Sequence, residues 1–161
     1  MLKRILSLIL ILSFVTLNTA TVSAQNNQSN FQMTYLIYDT DGQLIESGIV
    51  PTGILRYTWD GVTLLNGQTA KFVPSHNSNG FYCIKNTKFT FGFYYKLALQ
   101  YATLRLRIFR GSEYTTFTNT YHTSVDGHEF ELTMLEDGYL FAEIMNLSSD
   151  PVTLSRIRIE F

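Results

Sequence analysis

Lys88-Phe89-Thr90-Phe91-Gly92-Phe93-Tyr94-Tyr95 places a ring at every second position, Phe89, Phe91, Phe93 and Tyr95, with Lys88, Thr90, Gly92 and Tyr94 between them. A strand turns successive side chains to opposite faces, whereas a helix brings a face back only every 3.6 residues, so this stretch reads as a half-buried strand. The ring row is expected in the core. On its other side Gly92 leaves space beside Tyr94, which makes Tyr94 a candidate ligand platform.

The same rhythm runs outward in both directions. Met33, Tyr35 and Ile37 share a face, as do Leu55, Tyr57 and Trp59. Leu104, Leu106 and Ile108 alternate with Arg105 and Arg107, and Phe130, Leu132 and Met134 alternate with Glu129, Glu131 and Thr133. Six Asx-Gly pairs punctuate these rows: Asp41-Gly42, Asp60-Gly61, Asn66-Gly67, Asn79-Gly80, Asp126-Gly127 and Asp137-Gly138. Asn and Asp tolerate, and Gly prefers, the positive φ that tight hairpin turns demand. In the last row Val152 and Leu154 are out of phase with Ile157, Ile159 and Phe161, and one extra residue near Ser155-Arg156, a β-bulge, would restore a single buried face. The one helical alternative, Tyr94 to Leu106, lacks a cap and merges into the Leu104 strand. Nine or ten short strands make an all-β domain, predicted as an antiparallel sandwich of jelly-roll or Ig-like kind, with a barrel as the competing closure. The rhythm resembles that of small secreted β-sandwiches in architecture alone, and architecture does not fix function.

The N-terminus reads as an export signal over residues 1–24. Lys3 and Arg4 precede an apolar run from Ile5 to Leu17, and Val22-Ser23-Ala24 offers the small residues of a cleavage site. The run is shorter than the roughly 20 residues that span a bilayer, so no membrane span is expected after processing. Residues 25–30 form a polar leader and 31–161 a single domain. Of 161 residues, 137 would remain, with 10 Lys and Arg against 13 Asp and Glu. That balance argues against nucleic acid as a partner. Cys83 is the only cysteine, so no internal disulfide forms and the core must hold the domain. The expected location is extracellular.

Several constellations invite chemistry. His122, Asp126, His128 and Glu129 surround one expected hairpin tip and are weak candidates for a metal site, but His122 and His128 should face opposite sides of a regular ladder. Asp39-Thr40-Asp41-Gly42, with Glu46 beyond, resembles the opening of a calcium loop, yet the chain returns at once to a strand, and a plain turn is preferred. Cys83 lies in an apolar strand with no adjacent base, and a pairing with His76 is the only nucleophile arrangement the spacing offers. Pro74 to Gly80 is the longest polar interruption and the expected functional loop. Arg105 and Arg107, with Arg110, could share an outer face with Arg156 and Arg158 and take an anionic glycan, provided the two strands are neighbours. Otherwise Glu129, Glu131 and Glu160 simply oppose them. Tyr57 and Trp59, flanked by Arg56 and Asp60, could stack a sugar at a strand end. Asn27-Gln28-Ser29 and Asn146-Leu147-Ser148 match the glycosylation triplet, which arises by chance and carries little weight.

These readings converge on a secreted, non-enzymatic binding or interaction module, with an extracellular glycan or cell-surface protein as partner and no cofactor. The ligand-binding candidates are Arg56, Tyr57, Trp59, Asp60, Tyr94, Arg105 and Arg107. Two rival readings are a self-assembling structural protein and a small metal-dependent hydrolase.

Overall fold

The computed structural model describes residues 32–51, 60–95, 101–121 and 127–161. The expected signal and leader, Arg56, Tyr57 and Trp59, the middle of the helical alternative, and His122 and Asp126 lie outside the described residues. Eleven strands run in order: β1 (Met33–Tyr38), β2 (Leu44–Val50), β3 (Val62–Leu64), β4 (Thr69–Pro74), β5 (Phe81–Cys83), β6 (Lys88–Tyr95), β7 (Ala102–Gly111), β8 (Glu113–Tyr121), β9 (Gly127–Thr133), β10 (Gly138–Asn146) and β11 (Val152–Glu160). They form two antiparallel sheets packed together. The seven-stranded sheet has the order β2-β1-β4-β10-β7-β8, with β5 also paired to β10, and the four-stranded sheet has the order β3-β11-β6-β9. Among the described residues each sheet runs from one edge strand to another without closing on itself, so the architecture is a sandwich and not a barrel.

The count exceeds the nine or ten strands expected because one ladder position is split. Phe72 to Thr69 of β4 pair Ala142 to Met145 of β10, and Phe81 to Cys83 of β5 pair Leu140 to Gly138 of the same strand. The Pro74-to-Gly80 loop is an excursion between two halves of one strand position. Gly80 re-enters the sheet at φ +119°, where an added Cβ would stand 2.5 Å from the Leu140 carbonyl oxygen. Only glycine suits that approach.

The inward rows match the alternation. Phe89, Phe91 and Phe93 are buried, as are Leu104, Leu106, Ile108, Leu140, Ala142 and Ile144. Rings cross between the sheets: Phe93 meets Tyr121 edge-on at 5.5 Å and Phe117 meets Phe130 at 4.9 Å. The phase change in β11 is the expected bulge. Leu154 pairs Tyr95 and Arg156 pairs Tyr94, so Ser155 is the extra residue and Ile157 returns to the core. Phe161 departs from expectation, being 60% exposed, because the ladder ends at Glu160 and leaves its ring at the rim.

Asn146 is wholly buried. Its Nδ2 donates to the carbonyls of Leu64 (2.9 Å) and Asp150 (2.8 Å), and its Oδ1 accepts from Ser148 N (2.8 Å). It therefore ties β10 of one sheet to β3 of the other. With both amide hydrogens engaged inside the protein, it is no glycosylation acceptor in the folded chain.

Candidate functional site

The ladders of the seven-stranded sheet place its outward side chains in rows. Tyr139 and Phe141 of β10 stand beside Phe109 of β7, and Phe109 pairs Tyr114 of β8. Phe109 and Phe141 stack at 4.9 Å with planes 20° apart, and Tyr114 closes on Phe109 at 5.0 Å. Tyr82 of β5 meets Tyr139 edge-on at 5.7 Å. Five rings from four strands thus form one patch on a face that the opposite sheet does not cover.

Charges border these rings. Lys71 Nζ lies 4.0 Å from the Phe141 ring centre, and the Arg107 guanidinium 4.0 Å from that of Tyr114. Arg107 also pairs Glu143 at 3.5 Å. Arg105, one row away, donates to Met145 Sδ at 2.9 Å and has no carboxylate partner among the described residues. The outward ladder positions of this sheet therefore carry Lys71, Arg105 and Arg107 against Glu143 alone.

The four-stranded sheet is different. Its outward positions hold Lys88, Arg156 and Arg158 against Glu129, Glu131 and Glu160. The Tyr94 hydroxyl donates to Glu129, Arg158 Nη1 lies 2.9 Å from Glu129 Oε1, and Arg158 also holds Glu160. The Tyr94 hydroxyl and then Arg158 pull the Glu129 carboxyl below its ordinary pKa, and Arg158 does the same for Glu160. Arg156 lies over the Tyr94 ring at 4.7 Å. The space expected beside Tyr94 is occupied by this chain, since a Cβ on Gly92 would already stand 3.2 Å from Glu129 Cγ. Tyr94 is part of a closed polar network and not a free platform.

The two arginine clusters do not merge, because β7 and β11 lie in different sheets. Arg110 turns inward at the end of the core and donates to the Thr133 carbonyl (2.7 Å) and to Thr115. His128 faces inward, packed on Tyr121 at 4.4 Å, while Glu129 faces outward, so the two share no ligand position. Burial lowers the His128 pKa. No group of three metal-ligating side chains occurs among the described residues. Asp39 Oδ1 accepts from the backbone N–H of Asp41 (2.9 Å) and Gln43 (2.8 Å), making the preferred plain turn. Asp60 is exposed just before Gly61, which abuts Leu154 and Thr153.

A cleft of about 490 Å³ adjoins the ring patch at Tyr82, beside the Pro74-to-Gly80 loop. His76, Asn77, Phe81, Cys83, Ile84 and Phe161 are among its walls. Tyr82 and Ile84 are 65% and 64% exposed there. His76 and Cys83 do border one space, but burial pushes the Cys83 thiol up to about 11 and its Sγ donates to the Phe81 carbonyl (3.5 Å). A protonated thiol is not a nucleophile at neutral pH.

The ring patch was missed as a site by the sequence reading, although its signal is present. Phe109 continues the Arg105/Arg107 alternation, and Tyr139, Phe141, Glu143 and Met145 alternate with Leu140, Ala142 and Ile144. No family model, curated protein or solved structure matches the chain.

Proposed function

We propose that this chain is a secreted, non-enzymatic binding module that engages an extracellular glycan or cell-surface partner on the outer face of its seven-stranded sheet. One observation carries the reading: five rings, Tyr82, Phe109, Tyr114, Tyr139 and Phe141, gather there beside a strip of three cations and one carboxylate. Tyr82 and Tyr114 are exposed, Phe109 and Tyr139 half-buried and Phe141 buried beneath its neighbours, and exposed rings clustered on one sheet face mark interaction sites. Rings and guanidinium groups dominate interface energetics, the rings through large area at low entropy cost and the guanidinium through its planar fork of donors. The four-stranded sheet supplies the internal contrast, since its outward ladder positions hold as many carboxylates as cations and Arg158 pairs both Glu129 and Glu160.

The test is a glycan array probed with the mature protein. A Tyr114→Ala/Arg107→Ala variant should lose the parent's signals, while Lys88→Ala/Thr90→Ala, on the opposite face, should keep them. The reading fails if the array stays blank, or if its signals survive the Tyr114/Arg107 changes.

A second reading, self-assembly, draws on β2. This strand forms one edge of the seven-stranded sheet and exposes Leu44, Ile45 and Ile49. An apolar edge strand is a template for pairing with another chain.

A further inference from the structure

We infer that the ring face takes an anionic glycan, a pyranose chain bearing carboxylate or sulfate groups, with Arg105 as the principal charge contact. The inference rests on the proposed function and narrows it. Its basis is a charge imbalance confined to one face of a chain whose net charge is −1. The outward positions of the four-stranded sheet balance at three cations to three carboxylates, whereas those of the seven-stranded sheet stand at three to one. The cations lie in two adjacent rows along one side of the rings, Lys71 and Arg107 next to them and Arg105 one row beyond.

The three cations have separate tasks. Lys71 and Arg107 lie at 4.0 Å from ring centres, so the rings hold them in place. Arg107 and the carboxylate of Glu143, at 3.5 Å, offer a donor and an acceptor to sugar hydroxyls. Arg105 remains, half-buried, with Nη2 on Met145 Sδ and its sealed-in Nε without a hydrogen-bond partner among the described residues. A guanidinium can still present its outer N–H edge to a carboxylate or sulfate as a fork. Thr116 and Thr118, opposite Arg107 and Arg105 on β8, add hydroxyls along the same strip. A pyranose presents an apolar face to a ring and hydroxyls at its edge, which matches rings bordered by this strip.

The experiment measures binding of the mature protein to polygalacturonate, dextran sulfate and uncharged dextran by calorimetry at several salt concentrations. One anionic polymer or both should bind, weakening as salt rises because exposed charges are screened. Comparing the two separates carboxylate from sulfate. Uncharged dextran should bind at least about tenfold more weakly, and Arg105→Gln should cost about tenfold or more in affinity, the scale of one charge-assisted contact. Arg156→Gln, on the other sheet, should leave affinity unchanged. Equal, salt-independent binding of uncharged dextran that is lost in Tyr114→Ala would overturn the anionic inference and leave the binding face standing. Loss on Arg156→Gln equal to that on Arg105→Gln would overturn it as non-specific charge attraction. Binding of none of the three polymers would overturn the inference, and a blank glycan array beside it would take the proposed function too.

Discussion

Two polar residues, Asn146 wholly buried and His128 half-buried, show how single side chains set the limits of this fold. Asn146 offers two donors to two carbonyls and one acceptor to a backbone N–H. Asn146→Asp keeps the shape but replaces the donors with an anion that faces the Leu64 and Asp150 oxygens. The substitution should cost about 3 kcal/mol or more, because two buried carbonyls lose their partner and a charge gains none. Urea denaturation at neutral pH measures this, and a near-parental midpoint would show that Asn146 is not the tie between the sheets. His128 sits among Tyr121, Phe93 and Tyr95, where burial disfavours its charged form. A pKa lower in the folded than in the unfolded chain means that its contribution to stability is present above the unfolded value of about 6.5. It is lost as pH falls from there through the folded value. Glu129 and Glu160, whose carboxyls are also lowered, follow the same sign but begin their loss at the ordinary carboxylate range. The melting temperature should therefore fall in two stages on acidification. His128→Phe should remove the upper stage alone, and a parental pH profile in that variant would assign the stage elsewhere.

At the scale of a strand, β11 shows what the sequence can disclose and what it cannot. Its bulge was legible because burial on one face imposes a strict period of two, and a break in that period has few remedies. Deleting Ser155 should leave Val152, Leu154, Ile157 and Ile159 all facing inward on an unbulged strand. That variant should unfold cooperatively, within about 2 kcal/mol of the parent. Deleting Thr153 instead puts Val152 out of phase with Leu154 and removes the Thr63–Thr153 hydroxyl contact of 2.8 Å. It should cost more, by roughly the 1.5–3 kcal/mol of an apolar side chain turned out to water. The reverse ranking in denaturant titrations would refute the bulge assignment. The strand's partner was not legible. The paired spacing of Arg105/Arg107 and Arg156/Arg158 suggests neighbours, yet pairing is decided by non-local packing, and β7 and β11 went to different sheets. For the same reason no local window announces the ring patch, which draws on β5, β7, β8 and β10 from Tyr82 to Phe141. Alternation identifies the outward residues, and only the ladder register shows which of them stand together. Tyr94 illustrates the converse: the notch at Gly92 was legible, but not that Glu129 from the neighbouring strand would fill it.

For the molecule as a whole, what matters is how two sheets of unequal size dispose of their surplus surface. The larger sheet keeps exposed apolar residues at its β2 margin and exposed rings on its outer face. Leu44, Ile45 and Ile49 are each about half exposed on β2. Natural edges are usually blunted by charge, proline or a bulge. β2 has two of these devices. Ile45 is the extra residue where the β1–β2 register shifts, since Ile37 pairs Glu46 and Tyr38 pairs Leu44. Glu46 is the strand's only charged residue, and its carboxylate accepts from the Tyr35 hydroxyl at 2.8 Å. The opposite edge, β8, exposes Thr116, Thr118 and Thr120 with Tyr114, a far more polar row. Any growth of this protein into larger assemblies should therefore pass through β2. Glu46→Val, which removes the charge and leaves the bulge, should raise the mean mass seen by light scattering across a concentration series. Ile45→Lys, which puts a charge on the bulge itself, should hold the protein at its smallest species. Thr118→Lys, on β8, should change neither. Association that ignores both β2 substitutions but yields to Thr118→Lys would move the contact to the other edge. It would also place that contact beside Arg105, where a bound glycan and a second copy of the chain would compete.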